Sequence, residues 1–306
     1  MQSETTSTAL IGTGSGPVAS YHPLFAMEEA DVVLSSSNGV LFRVPSVTLK
    51  MTSGWFRTMF KLPQSASTTR SNATETIALS EDSSTLEPLL RMICGLPVPL
   101  LTTWDEVDPI LAAAEKYDCP GVHSIVRILS HTATFMDQPL RLYTAACRYG
   151  WHEEAMLAAE MSLVLDLNDP IYYVDLVKLR TPALLALQGL HRARLVAFRD
   201  ALNQPPFLTP AQMADTVSQR CSRCSEPFEY GAWRDLKYAM ERELERRPMG
   251  DTVLTGLEEW AVAKICWSSQ CKRPQCTAHV YDRISSSRAI RETIEGLPRA
   301  IEIPMD

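Results

Sequence analysis

The residues best suited to chemistry lie in the last third of a 306-residue chain, where five of its eight cysteines crowd into positions 221–276. "CSRCSEPFEYGAW" opens with Cys221-x2-Cys224, and "CWSSQCKRPQCTAH" carries Cys266, Cys271 and Cys276 at two Cys-x4-Cys spacings, followed by Cys276-x2-His279. A structural zinc ion takes four soft ligands in a tetrahedron, usually as two short loops that each aim two side chains at the ion. Six donors therefore compete for four places. Cys221, Cys224, Cys271 and Cys276 are the favoured set. Cys266 follows directly on a helical stretch and can serve as core, although exchanging it for Cys276 changes the argument little, and His279 is the reserve. A redox reading of Cys221-x2-Cys224 has no βαβ context to support it and leaves the downstream cysteines with nothing to do. A packing role for the thiols is the other alternative.

The elements that must position these groups are helical. Between the two cysteine clusters, Trp233, Leu236, Met240 and Leu244 fall at helical spacing, and so do Leu254, Leu257, Trp260 and Ala261. Two amphipathic helices held at their outer ends by one ion would close a core that apolar area alone would barely hold. This predicts a zinc clasp over residues 221–279.

Elsewhere the side chains offer little for catalysis. The six histidines, His22, His123, His131, His152, His191 and His279, stand singly, and no HExxH array, Gly-x-Ser-x-Gly elbow or Walker loop occurs. "GTGSG" at Gly12–Gly16 has no strand before it and no Lys-Ser/Thr after it, so it reads as linker. Glu153 and Glu154 read as a solvated first helical turn. Cys94, Cys119 and Cys147 read as small buried hydrophobes. A formal net charge of −7 argues against a chain built to grip phosphate backbones, and the basic stretches "HRARLVAFR" and "ERRP" read as solvated helix faces. With 45% hydrophobic and 21% charged residues and no apolar run near twenty, the composition is that of a globular protein that spans no membrane. The N-terminus lacks the basic flank and apolar core of a secretion signal, which leads to a cytoplasmic or nuclear expectation, where clustered thiols favour metal over disulfides.

Along the chain, residues 1–24 read as a flexible tail. "DVVLSSSNGVLFRVP" has the pattern of a hairpin around Ser-Asn-Gly. "LKMTSGWFRTMF" places Trp55, Phe56, Met59 and Phe60 on one helical stripe, and "ETIALS" supplies a third strand after a polar insertion at 64–76. "SSTLEPLLRMIC" offers a Ser84…Glu87 capping-box spacing, with Leu86, Leu89, Leu90 and Ile93 on one face. Thr103 is a candidate N-cap for a helix facing inward through Val107, Ile110, Leu111, Ala114 and Tyr117, and a further helix is expected over 121–131. Beyond it, "PLRLYTAACRYG", "WHEEAMLAAEMSLVLDL" and "TPALLALQGLHRARLVAFRDAL" are helical in period, the last with Thr181 as N-cap before Pro182. The fold class is α+β in front and all-α behind.

The segments "ADVVLSSSNGVLFRVPSVTLKMTSGWFRTMF", "KLPQ", "LLRMICGLPVP" and "AAAEKYDCPGV" resemble, in order, the BTB/POZ domain, and more closely the version found in many fungal proteins. One position departs: Pro45 stands where many animal members carry a His after the second-strand Phe. "QPLRLYTAACRYGWHEEAMLAAEMSL" looks like the helical extension that follows such domains. The resemblance implies a BTB-like domain at 25–131 and a helical region at 132–306. It implies a non-enzymatic interaction module that self-associates and binds other proteins, among them cullin-type ubiquitin ligases or transcriptional partners. The rivals are a chromatin-associated regulator touching nucleic acid through Lys272 and Arg273, with nucleic acid the less favoured partner, and a thiol redox protein using Cys221 and Cys224.

Overall fold

The structure, a computed structural model, describes residues 20–62, 76–207, 219–221, 223–228 and 230–303. The "GTGSG" stretch and nearly all of the 64–76 insertion lie outside these residues. The chain divides into two compact units, Met1–Thr132 and Ala133–Asp306.

The first unit is built on a three-stranded sheet of order β2-β1-β3, comprising β1 (Val32–Ser35), β2 (Leu41–Val44) and β3 (Thr76–Ala78). β1 pairs antiparallel with β2, Leu34 opposite Phe42, and parallel with β3, Leu34 opposite Ile77. As the middle strand it buries Val32, Val33 and Leu34 in succession, whereas β2 buries only Phe42 and Val44 in alternation. The hairpin turn needs the left-handed backbone of Gly39, at φ +85°. Next to it, Asn38 fastens the turn to helix α3 (Ser83–Ile93), its Oδ1 accepting from the Ser83 N–H at 3.0 Å. Residues 21 and 22, read as part of a tail, are packed on the sheet: Tyr21 bridges to Leu41, His22 stacks on Phe42, and Phe25 beside them is buried; residues 1–19 lie outside the described residues.

In the first unit the helices follow the apolar stripes with two corrections. "LKMTSGWFRTMF" is broken into α1 (Ser46–Thr52) and α2 (Gly54–Met59) at Ser53, whose backbone is extended. The Ser53 hydroxyl donates to the Tyr117 carbonyl at 2.5 Å and accepts from the Phe56 N–H, so a long-range bond overrides the helical period, and of the four stripe residues only Phe56 is buried. α3 is capped by the Asp82 carboxylate, which accepts from the Thr85 N–H, and Glu87 pairs instead with Arg91; an ionised acceptor ahead of Ser84 supersedes the proposed box. In α4 (Trp104–Lys116) the Thr103 cap forms with Glu106 as a full capping box, and all five inward residues are buried. α5 (Pro120–Leu129) follows.

The second unit holds α6 (Ala133–Met136), α7 (Pro139–Tyr149), α8 (His152–Met161), α9 (Tyr173–Leu176), α10 (Thr181–Leu202), α11 (Gly231–Arg246), α12 (Asp251–Gly256), α13 (Ala261–Ser268) and α14 (Arg283–Glu295). Its one paired ribbon among the described residues is β4 (Gln219–Arg220) against β5 (Pro227–Phe228). Thr181 is the first residue inside α10 rather than its cap, which is Arg180. Glu154 is not solvated: it is 2% exposed, on the α8 face shared with Ala155 and Ala158. The helix drawn through Leu254 to Ala261 is three pieces, α12, a 3₁₀ turn at Leu257–Glu259 and α13, with Trp260 extended between the last two. The inward residues there are Val253, Leu257, Ala263, Cys266 and Trp267, and Ala261 faces solvent.

Arg194 of α10 is 1% exposed and donates to four backbone carbonyls, Pro248 at 2.6 Å, Met249 at 3.2 Å, Leu297 at 3.2 Å and Pro298 at 2.7 Å. These carbonyls lie just beyond α11 and α14, where helix dipoles favour a cation. Burial lowers the Arg194 pKa to about 10, which leaves the guanidinium charged at neutral pH. One turn earlier, His191 Nε2 lies 2.9 Å from the Ser162 hydroxyl, which itself donates to the Ala159 carbonyl. The serine must therefore accept from a neutral His191 protonated at Nε2.

Two outcomes follow. A Cβ at Gly54 would stand 1.8 Å from the carboxylate of the exposed Asp118, which must swing to another rotamer, so Gly54→Ala is expected to destabilise the first unit by about 0.5–1.5 kcal/mol, measured by denaturant unfolding. Burial first, and the Arg194 charge second, lower the His191 pKa to about 4. The unfolded chain therefore takes up this proton first. The stabilisation is complete above pH ~6.5 and lost as pH falls towards about 4, amounting to roughly 3 kcal/mol. His191→Gln is expected to flatten that part of the melting-temperature profile; an unchanged acid slope would refute the assignment.

Candidate metal centre

The local sequence folds the two cysteine segments into small hairpins. In the first, the Cys221 N–H donates to the Glu226 carbonyl at 2.8 Å and the Ser225 N–H to the Cys221 carbonyl at 2.9 Å. Ser225 closes this turn in the left-handed region, at φ +62°. In the second, Gln270 and His279 form an antiparallel bridge, the Cys271 N–H donates to the Ala278 carbonyl at 3.0 Å and the Cys276 N–H to the Arg273 carbonyl at 2.8 Å.

Together the hairpins place one sulfur atom each from Cys221, Cys224, Cys271 and Cys276 within 4.8 Å of one another. Cys221 Sγ lies 3.7 Å from Cys276 Sγ, and Cys224 Sγ lies 3.4 Å from Cys271 Sγ. Both separations are far beyond a disulfide bond of about 2.0 Å. Four sulfurs at about 2.3 Å from one tetrahedral ion stand about 3.8 Å apart, which the observed spacing brackets. Cys221, Cys271 and Cys276 are buried in a cluster of their own with Cys224 and Ala278 against it, separate from the large helical core.

The backbone is arranged for negative sulfur. The N–H groups of Arg223 and Cys224 point at Cys221 Sγ and hold its pKa down to about 6. Cys271 accepts from the Arg273 N–H, but burial and the neighbouring thiols outweigh this and push it up to about 12. Cys276 accepts from the Ala278 N–H and is likewise raised, by burial and by Cys224 and Cys221. Four thiolates cannot ionise side by side without a cation; a soft divalent ion removes the conflict. The donor set, its spacing and its amide hydrogen bonds therefore fit a tetrahedral metal ion.

The other sequence-level donors fall elsewhere. Cys266 is fully buried in the helical core with Trp233, Leu236 and Met240, and burial pushes its thiol up to about 12. His279 is exposed in the bridge and stands outside the four-sulfur group. Cys94, Cys119 and Cys147 are partly or fully buried and each is pushed up to about 11, with burial the largest cause. Sequence reasoning missed the amide donors at Arg223, Cys224, Arg273 and Ala278, which are main-chain groups and carry no residue-type signal. Their signal was positional, two or three residues after each accepting cysteine.

For the first unit, the order of hairpin, paired helices, parallel third strand and helix cluster is the decisive observation when set beside known families. Residues 23–132 form a BTB/POZ domain. BTB domains are protein-interaction domains, generally without enzymatic activity, and they commonly self-associate and bind other proteins. The BTB match covers the three-stranded sheet and helices α1 to α5, and stops before α6. No curated protein matches the chain at a significant level.

The division of the cysteines gives a direct test. Cys266→Ser, which buries a hydroxyl in apolar surroundings, is expected to cost about 1–3 kcal/mol while leaving metal stoichiometry unchanged. Cys276→Ser is expected to lose the tetrathiolate absorption of a bound cobalt(II) probe. Loss of that spectrum in the Cys266 variant, under conditions where it remains folded, would contradict the division.

Proposed function

We propose that this protein is a non-enzymatic adaptor: its BTB domain brings two copies together, and its helical unit, closed by a structural zinc ion on Cys221, Cys224, Cys271 and Cys276, presents a second binding surface. The BTB domain at residues 23–132 is the observation that carries this reading. Its joining to a separate helical unit supports an adaptor, because linked modules raise the effective concentration of what they hold. Recruitment of a partner to a cullin-type ubiquitin ligase is the more specific form of the role.

Zinc is supported by the four-sulfur spacing and the buried, amide-bonded thiols, which suit a soft ion with no geometric preference beyond the tetrahedron. Two-residue strands are too short to persist by pairing alone, so a metal bond between the hairpins would supply the missing stability. Arg220, Arg223, Lys272 and Arg273 are exposed around the thiols. They would offset the net charge of −2 on a zinc tetrathiolate, a local role that needs no nucleic acid.

The test is native mass together with elemental analysis on the full chain purified without chelator. The expected result is twice the chain mass with one zinc per chain. Stripping the metal with a chelator under reducing conditions should loosen the two hairpins, 219–228 and 269–280, seen as new amide exchange there while the helices between them stay protected. A monomer at all accessible concentrations would remove the self-association reading, and hairpins that stay equally protected without metal would remove the clasp.

A further inference from the structure

The sulfur pairs are drawn across the two hairpins and not only within one. Cys224 meets Cys271 at 3.4 Å and Cys221 meets Cys276 at 3.7 Å, so these two contacts join the first hairpin to the second, beside the contacts of Cys221 with Cys224 and of Cys271 with Cys276 within each. We infer that the four-cysteine centre is an oxidation site for hydrogen peroxide that locks rather than opens: disulfides Cys224–Cys271 and Cys221–Cys276 replace the metal and keep the hairpins fastened. The inference rests on the zinc reading for what leaves the site, and on the sulfur geometry for what stays.

Access decides the order. Cys224 is half-buried, while Cys221, Cys271 and Cys276 are 5%, 8% and 7% exposed. A peroxide therefore reaches Cys224 first. The Cys224 thiolate attacks one peroxide oxygen, the O–O bond breaks, hydroxide leaves and a sulfenic acid forms. The Cys271 thiolate then attacks the sulfenic sulfur, forming the S–S bond and expelling a second hydroxide. With two thiolates gone, the ion has lost half its ligands and departs as aqueous Zn²⁺. A second peroxide oxidises Cys221 and Cys276 in the same way. In total, four thiolates give up four electrons to two hydrogen peroxide molecules, yielding two disulfides and four hydroxides that water buffers.

The physical consequence separates this centre from one whose oxidation simply releases structure. A disulfide within Cys221-x2-Cys224 would tie a hairpin to itself and leave the other free. Cross-hairpin disulfides close loops of about fifty residues and constrain the unfolded chain much as the metal does. The alternating sources of cross-link, ion and disulfide, would keep β4–β5 and the 270–279 bridge together under both reducing and oxidising conditions.

The experiment uses the full chain, with zinc content measured first, and hydrogen peroxide as the probe. Zinc release is followed with a chromogenic chelator, disulfides by peptide mapping under non-reducing conditions, and integrity by proteolysis within 219–280. The expected result is release of the zinc, the two cross-hairpin disulfides, and proteolysis no faster than in the zinc form, whereas chelator with reductant speeds cleavage at least tenfold. A dominant Cys221–Cys224 disulfide, sulfinic acids without disulfides, or rapid cleavage after oxidation would each overturn the inference. A chain that carries no zinc yet gives the two cross-hairpin disulfides would refute the zinc reading while upholding the pairing. Zinc present together with Cys221–Cys224 would do the reverse.

Discussion

Four sulfur atoms held within 4.8 Å of one another are the constraint around which the C-terminal end of this chain is organised. Thiols are weak donors and weak acceptors, so mutual hydrogen bonding gives them little, and thiolates at that distance repel. The amides at Arg223, Cys224, Arg273 and Ala278 point at three of the sulfurs and favour the charged form. A cation is the component that makes this arrangement favourable, and the proposed zinc ion supplies it. On that proposal the two hairpins depend on it, because their own pairing is minimal. The helical core beside them does not: it is closed by Phe198, Trp233, Met240, Cys266 and Ile290, and its helix ends are gathered by the carbonyls around Arg194.

Much of this was legible in the chain, and each failure has its own physical cause. The β1–β2 hairpin, the inward faces of α3, α4 and α11 and the Thr103 capping box are set by neighbours within one or two turns, which residue spacing encodes directly. The break at Ser53 depends on Tyr117, sixty-four residues away, and no local pattern reports it. Asp82 took the cap from Ser84 because a carboxylate accepts an amide bond more strongly than a hydroxyl. The run from Leu254 to Ala261 kept an apolar period through a 3₁₀ turn and an extended Trp260, so periodicity alone could not reveal the shift of face. Glu154 went into the protein because its helix face, not its charge, determined its place.

Of the candidate site, the cysteine spacing and a preference for Cys221, Cys224, Cys271 and Cys276 were readable, while the exclusion of Cys266 and His279 was not. Cys266 and His279 satisfy the same sequence arithmetic as the favoured four. What separates them is tertiary: Cys266 lies on the inward face of α13 against Trp233, and His279 sits exposed in the ladder that shapes the second hairpin. The Ser162–His191 contact illustrates the converse, since a serine beside a histidine invites a catalytic reading. Ser162 is fully buried and already donates to a backbone carbonyl, so the pair serves packing. A BTB domain in front of a second, helical unit is the arrangement on which the adaptor proposal rests.

X-ray absorption at the zinc edge of the purified, reduced chain tests the central claim most directly. The account predicts a single shell of four sulfurs at about 2.3 Å. A shell containing nitrogen near 2.0–2.1 Å, as ligation by His279 would give, or the absence of bound zinc, would contradict it.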